Sequence, residues 1–120
     1  MIIQRGDDYS GGSTMFIDPF VIRSINRSGL RKKILLYLDQ IYPSPTYLSE
    51  IARAVKSDPS NVKGALIGLG NRYNGHSSLV SLGLVEVVTE KGFKYYRLTE
   101  YGREVVKLLK SYYPYYSRYT

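Results

Sequence analysis

Laid out as a helix at about 100° per residue, Ser60, Lys63, Gly64, Ile67 and Asn71 share one side, with Asn61 near the helix start. Val62, Leu66 and Leu69 fall on the other side. The first set carries the chemistry that reads nucleic acid. Lys63 suits a phosphate or a guanine edge, Ser60 and Asn61 suit base edges or phosphates near the helix start, and Ile67 suits a thymine methyl. Gly64 and Gly68 form a row of minimal side chains there. Glycine costs about 1 kcal/mol against alanine inside a helix, so the pair needs a reason. Close approach to DNA, or close packing of another helix, would each supply one. A second group of cations, Lys91, Lys94 and Arg97, lies at or beside the turn Glu90-Lys91-Gly92. Cations at a hairpin tip reach the minor groove or flanking phosphates, and lysine on a hairpin edge also discourages pairing with other strands.

The overall charge agrees with such chemistry. Lys and Arg number 17 against 10 Asp and Glu, a net +7, which attracts polyanions: nucleic acid, an anionic membrane surface or an acidic protein. Lys32, Lys33, Arg53, Lys56 and Arg72 supply an electrostatic apron around the helices. Other chemistries are disfavoured. No Cys occurs, which removes disulfides, thiolate metal sites and a Cys nucleophile. His76 is the only histidine, so neither a metal site nor a Ser-His-Asp triad is signalled. The run from Gly70 through Gly75-His76-Ser77 comes near a phosphate-binding loop, but His stands where Lys would hold phosphate, and a helix precedes it rather than a strand. The chain therefore reads as a non-enzyme without a cofactor, and nothing marks a small-molecule effector site. The longest apolar runs fall far short of the ~20 residues that span a bilayer, and no apolar signal core opens the sequence. The expectation is a cytoplasmic protein without a membrane partner.

The elements that must position these residues follow from local signals. A chain of 120 residues holds one core. Residues 1–27 read as an arm, Gly/Ser-rich at first, ending in a short helix that starts at Asp18-Pro19. Ser28 opens a longer helix with Leu30, Ile34, Leu38 and Ile41 on its apolar face, ended by Pro43-Ser44-Pro45. Thr46 is expected to cap a third helix through Val55, and Asp58-Pro59 starts a fourth that runs to Gly70. Two short helices joined by a tight polar turn make a helix-turn-helix candidate. Leu84–Thr89 and Phe93–Leu98 form a hairpin. Thr99 caps a last helix, stopped by Pro114, whose Leu108, Leu109, Tyr112 and Tyr113 exceed what a small core needs and suggest a homodimer contact. Residues 28–113 make the main domain, and 114–120 a Tyr-rich tail.

The fold class is thus α+β, mostly helical. Three segments carry a family resemblance: Asp58-Pro59-Ser60-Asn61-Val62, Leu79 to Val85 (LVSLGLV), and Tyr96-Arg97-Leu98-Thr99-Glu100-Tyr101-Gly102. In this order and spacing they resemble the recognition-helix start, the lead into the wing and the exit from it in winged helix-turn-helix transcriptional regulators, closest to archaeal and bacterial MarR-, ArsR- and PadR-like proteins. The resemblance covers about residues 28–112. It implies a two-stranded wing, a C-terminal helix, dimeric binding to double-stranded DNA and gene control. Winged-helix domains also serve as protein- or RNA-docking modules, and the thirteen Tyr suit such a surface.

Overall fold

The computed structural model describes residues 16–68 and 78–112. The expected N-terminal arm before Phe16, the run through His76 and the Tyr-rich tail lie outside them. Among the described residues the fold is α+β and mostly helical: α1 (Pro19–Asn26), α2 (Gly29–Ile41), α3 (Leu48–Val55), α4 (Pro59–Ile67), β1 (Val85–Glu90), β2 (Phe93–Leu98) and α5 (Glu100–Tyr112).

Local chemistry starts most of these elements. The Asp18 carboxylate accepts from the Phe20 N–H at 2.9 Å, with Pro19 in the first helical turn. The Ser28 hydroxyl accepts from the Arg31 N–H at 3.1 Å and opens α2. Helix α2 is the hub and touches α1, α3, α4, β2 and α5. Consecutive residues Ile34, Leu35 and Leu36 are all buried, as befits a helix enclosed on most sides, whereas Leu30 and Ile41 are only half-buried. Ile25, Ile51, Val62, Leu66, Leu79, Leu84, Leu98 and Val105 are among the core residues packed around it, each large side chain contributing roughly 1.5–3 kcal/mol.

Thr46 does not cap the third helix. Its N–H donates to the Tyr96 carbonyl at 3.0 Å, and its carbonyl accepts from the Tyr96 N–H at 2.7 Å. The preceding Pro45 disfavours helix at Ser44 and holds the chain extended into this bridge. The N-cap falls to Tyr47, which makes no side-chain cap bond.

The hairpin is antiparallel, with Val85 opposite Leu98, Val87 opposite Tyr96, Thr89 opposite Lys94 and Glu90 opposite Phe93. Strand β1 therefore runs one residue past Thr89. The turn narrows to Lys91-Gly92, both at positive φ (53° and 82°), as a two-residue type I′ hairpin requires. At its root the Thr99 N–H donates to the Leu84 carbonyl at 3.0 Å, and the Thr99 hydroxyl donates to the Gly83 carbonyl at 2.7 Å. The same hydroxyl accepts from the Gly102 N–H at 2.9 Å and starts α5. Two of the three segments carrying the resemblance are thus clasped to each other.

Tyr96 is 5% exposed, and burial pushes its phenol above the ordinary value of 10.0. A phenol held neutral by folding contributes stability that is complete below its unfolded value and is lost as pH rises through the folded one. Tyr96→Phe should therefore flatten the alkaline fall in melting temperature above about pH 10, measured by circular dichroism beside the parent protein.

Candidate nucleic-acid interface

Helices α3 and α4 are joined by Lys56, Ser57 and Asp58. The Lys56 N–H returns to the carbonyls of Ala52 and Arg53, and Lys56 itself sits in the left-handed region at φ 58°. Asp58 takes the N-cap position of α4 without a side-chain cap bond, and Pro59 follows. Between the helices lies an open cleft of about 620 Å³ lined by Ser49, Arg53, Lys56, Ser57, Asp58 and Asn61. Arg53 is held by Glu50 at 3.1 Å, which leaves Lys56 as the cation there with no ion-pair partner among the described residues. A non-glycine residue in the left-handed region is strained. Lys56→Gly relieves about 1–2 kcal/mol of strain against about 0.5–1 kcal/mol of glycine entropy and should raise stability by up to about 1 kcal/mol, read as a higher denaturation midpoint with unchanged slope.

The two sides of α4 divide as expected. Val62, Ala65 and Leu66 are buried, while Ser60, Asn61 and Lys63 are exposed. Lys63 makes no ion pair among the described residues. Gly64 is half-buried, and Ile67 is half-buried and packs partly on the core, so less of its side chain faces outward than the pattern implied.

The helix ends at Ile67, short of Gly70. Gly68 leaves the helical region at φ 87°, ψ 160°. The carbonyls of Ala65 and Leu66, which a further turn would have used, accept instead from the N–H groups of Leu79 and Val80 at 2.9 Å each. Gly68 thus serves the helix end rather than a row beside Gly64. Leu69, Asn71 and Arg72 lie outside the described residues.

On the hairpin, Lys91 and Lys94 are exposed and have no ion-pair partner among the described residues. Arg97 differs. Its Nε donates to Glu86 Oε2 at 2.8 Å across the strands, near the root, so its charge is matched in place. Register places Phe93, Tyr95 and Arg97 on the face opposite Tyr96 and Leu98. There Tyr95 meets Tyr47 at 5.2 Å between ring centroids, and Phe93 is 63% exposed. This aromatic row was not among the expected site residues, although the alternation of residues 93–98 contained it.

On the C-terminal helix one of the four expected contact residues turns inward. Leu109 is buried in its own chain beside Val105 and Val106 on the core side of α5, so it is corrected from dimer contact to core residue. The docking of α5 on α2 explains this. Asp39 of α2 receives Arg103 at 3.3 Å and Lys110 at 3.4 Å, and the Arg103 guanidinium lies 4.4 Å from the Tyr42 ring centroid. Leu108 is half-buried; the Tyr112 side chain and Tyr113 lie outside the described residues. Away from the hairpin and Tyr47, exposed large apolar side chains among the described residues are Phe16 and Phe20. Among the described residues no cluster of three His, Cys, Asp or Glu side chains suits a metal, and no helix is long and apolar enough to cross a membrane.

An uncharacterized protein of the archaeon Methanocaldococcus jannaschii is 59% identical over 98 residues, which cover 82% of this chain and 88% of that protein. No solved structure matches. The model of the EarA-like family matches residues 21–109, from α1 into α5, and takes in α4, the hairpin and the root that clasps it. The chain belongs to the EarA-like family.

Proposed function

We propose that this protein is a winged helix-turn-helix transcriptional regulator that binds double-stranded DNA sequence-selectively, with α4 in the major groove and the hairpin as a wing on the flank. The observation that carries the reading is the division of α4: Ser60, Asn61 and Lys63 face solvent on a helix whose other side is locked into the core against α2 and α3. A rigid helix presenting short polar groups and one unmatched cation suits base edges and phosphates better than an enclosed substrate. The order of the elements and the resemblance to MarR-, ArsR- and PadR-like regulators support it, as do the unmatched Lys91 and Lys94 at the tip. In this reading the protein is a cytoplasmic, non-enzymatic homodimer.

Selection on random duplexes followed by footprinting tests the proposal. The expected result is a protected site whose two halves repeat at about one helical turn of DNA, roughly 34–36 Å, as a symmetric dimer requires. The aromatic row of exposed Tyr47, half-buried Tyr95 and exposed Phe93 favours a second reading, a docking module for protein or RNA. Absence of any protected duplex at modest salt would leave that reading standing and remove the first.

A further inference from the structure

We infer that Phe93 is an apolar wedge that the hairpin inserts between two base pairs of the DNA minor groove beside the site read by α4. The inference rests on the DNA-binding reading above and adds a kinked duplex and a second contact that discriminates sequence.

Phe93 stands at the end of a two-residue turn with 63% of its surface in water. Tyr95, next on the same face, rests on Tyr47, whereas Phe93 has no ring partner among the described residues. A large apolar side chain at the extremity of a narrow ribbon is costly to hydrate and does nothing for its own core. Its immediate surroundings select a polyanion rather than an apolar partner. Lys91 precedes it in the turn, and Lys94 follows on the opposite face of the ribbon, neither with an ion-pair partner among the described residues. Glu90 lies directly opposite Phe93. That carboxylate repels phosphate from the flat of the strands and leaves end-on entry as the favourable approach, with the ring leading and the lysines meeting the phosphates that flank the groove. Proteins that bend DNA from the minor groove use apolar side chains in this way, opening a kink of roughly 20–90°. Pyrimidine–purine steps unstack most easily, so the wedge would favour such a step at a fixed distance from the α4 contacts.

The test uses the full chain and its selected duplex, with 2-aminopurine placed in turn at each flanking step and a dye pair on the duplex ends. The parent protein should raise 2-aminopurine fluorescence at one step and shorten the end-to-end distance. Phe93→Ala should lose both signals and bind about tenfold more weakly, while the α4 footprint persists at raised protein concentration. Phe93→Leu should keep part of the kink. Because the side chain is exposed, both variants should melt near the parent temperature, which separates the effect from misfolding. Parent protein that footprints without unstacking or bending, or Phe93→Ala that bends DNA as the parent does, overturns the wedge and leaves the DNA-binding reading intact. A change in oligomeric mass in Phe93→Ala with unchanged bending would assign the ring to a second copy and likewise overturn it. If no duplex is protected, the DNA-binding reading fails and the wedge with it.

Discussion

Gly102→Ala is expected to lower the melting temperature by roughly 12 °C or more. A Cβ at this position would run into the Leu84 carbonyl oxygen, and it would lie 2.8 Å from Leu98 Cδ1 and 3.0 Å from Leu98 Cγ. The carbonyl cannot retreat, because it accepts the Thr99 N–H at 3.0 Å. Leu98 is 1% exposed and equally confined. Overpacking in a filled interior costs about 1–3 kcal/mol, and a clash with tethered backbone belongs at or beyond the upper end. Gly29→Ala provides the contrast. Nothing lies within 4 Å of a Cβ there, and the residue opens α2, so alanine should stabilise by about 0.5–1 kcal/mol. Thermal melts of the two variants beside the parent check both. A Gly102→Ala protein melting within two or so degrees of the parent would show that the root of the hairpin yields, contrary to this account.

Replacing Lys63, Lys91 and Lys94 together by Gln should weaken binding of one protomer to a half-site duplex roughly a hundredfold at about 0.15 M salt. On a half-site duplex that holds one protomer, it should also reduce the slope of log affinity against log salt by about 2.7, because each neutralised phosphate releases close to one counterion. The fold should not suffer: all three side chains are exposed, and stability should stay within about 0.5 kcal/mol of the parent. Arg97→Gln is the internal comparison. Arg97 already faces Glu86 at 2.8 Å, so its removal should change the slope by clearly less than a third of the triple effect. Filter binding or fluorescence anisotropy over a salt series reads both. Unchanged affinity in the triple variant would show that the duplex is held somewhere other than α4 and the hairpin tip.

What could be read before the structure was local in origin. Asp18-Pro19 and Ser28 announce helix starts through side chains that bond within three residues of themselves. Thr99 is the same case. The division of α4 into a buried and an exposed side follows from helical periodicity alone, which is enough to set Ser60, Asn61 and Lys63 outward. The failures all involve a distant partner. Thr46 has the side chain of a helix cap, but its backbone is claimed by Tyr96, fifty residues on. The end of α4 depends on Leu79 and Val80 taking two carbonyls; Gly68 and Gly70 carry the same stop signal, and only those distant partners choose between them. Leu109 has the composition of either a core or an interface, and only the docking of α5 on α2 decides between them. Arg97 looked available because its partner, Glu86, is identified only once the register is known.

The way the hairpin is rooted has a mechanical meaning. Gly83, Leu84, Thr99 and Gly102 clamp one end, and the Thr46 bridge adds a brace at Tyr96. Beyond Tyr95, which rests on Tyr47, the two strands and a tight turn extend into solvent. Such an object is a cantilever, whose sideways excursions grow toward the free end while its root angle stays fixed. The amides of Leu84 and Thr99 should accordingly resist deuterium far longer than those of Lys91 and Gly92. A probe that sweeps a small arc about a constant bearing can sample neighbouring positions along a surface without surrendering its aim.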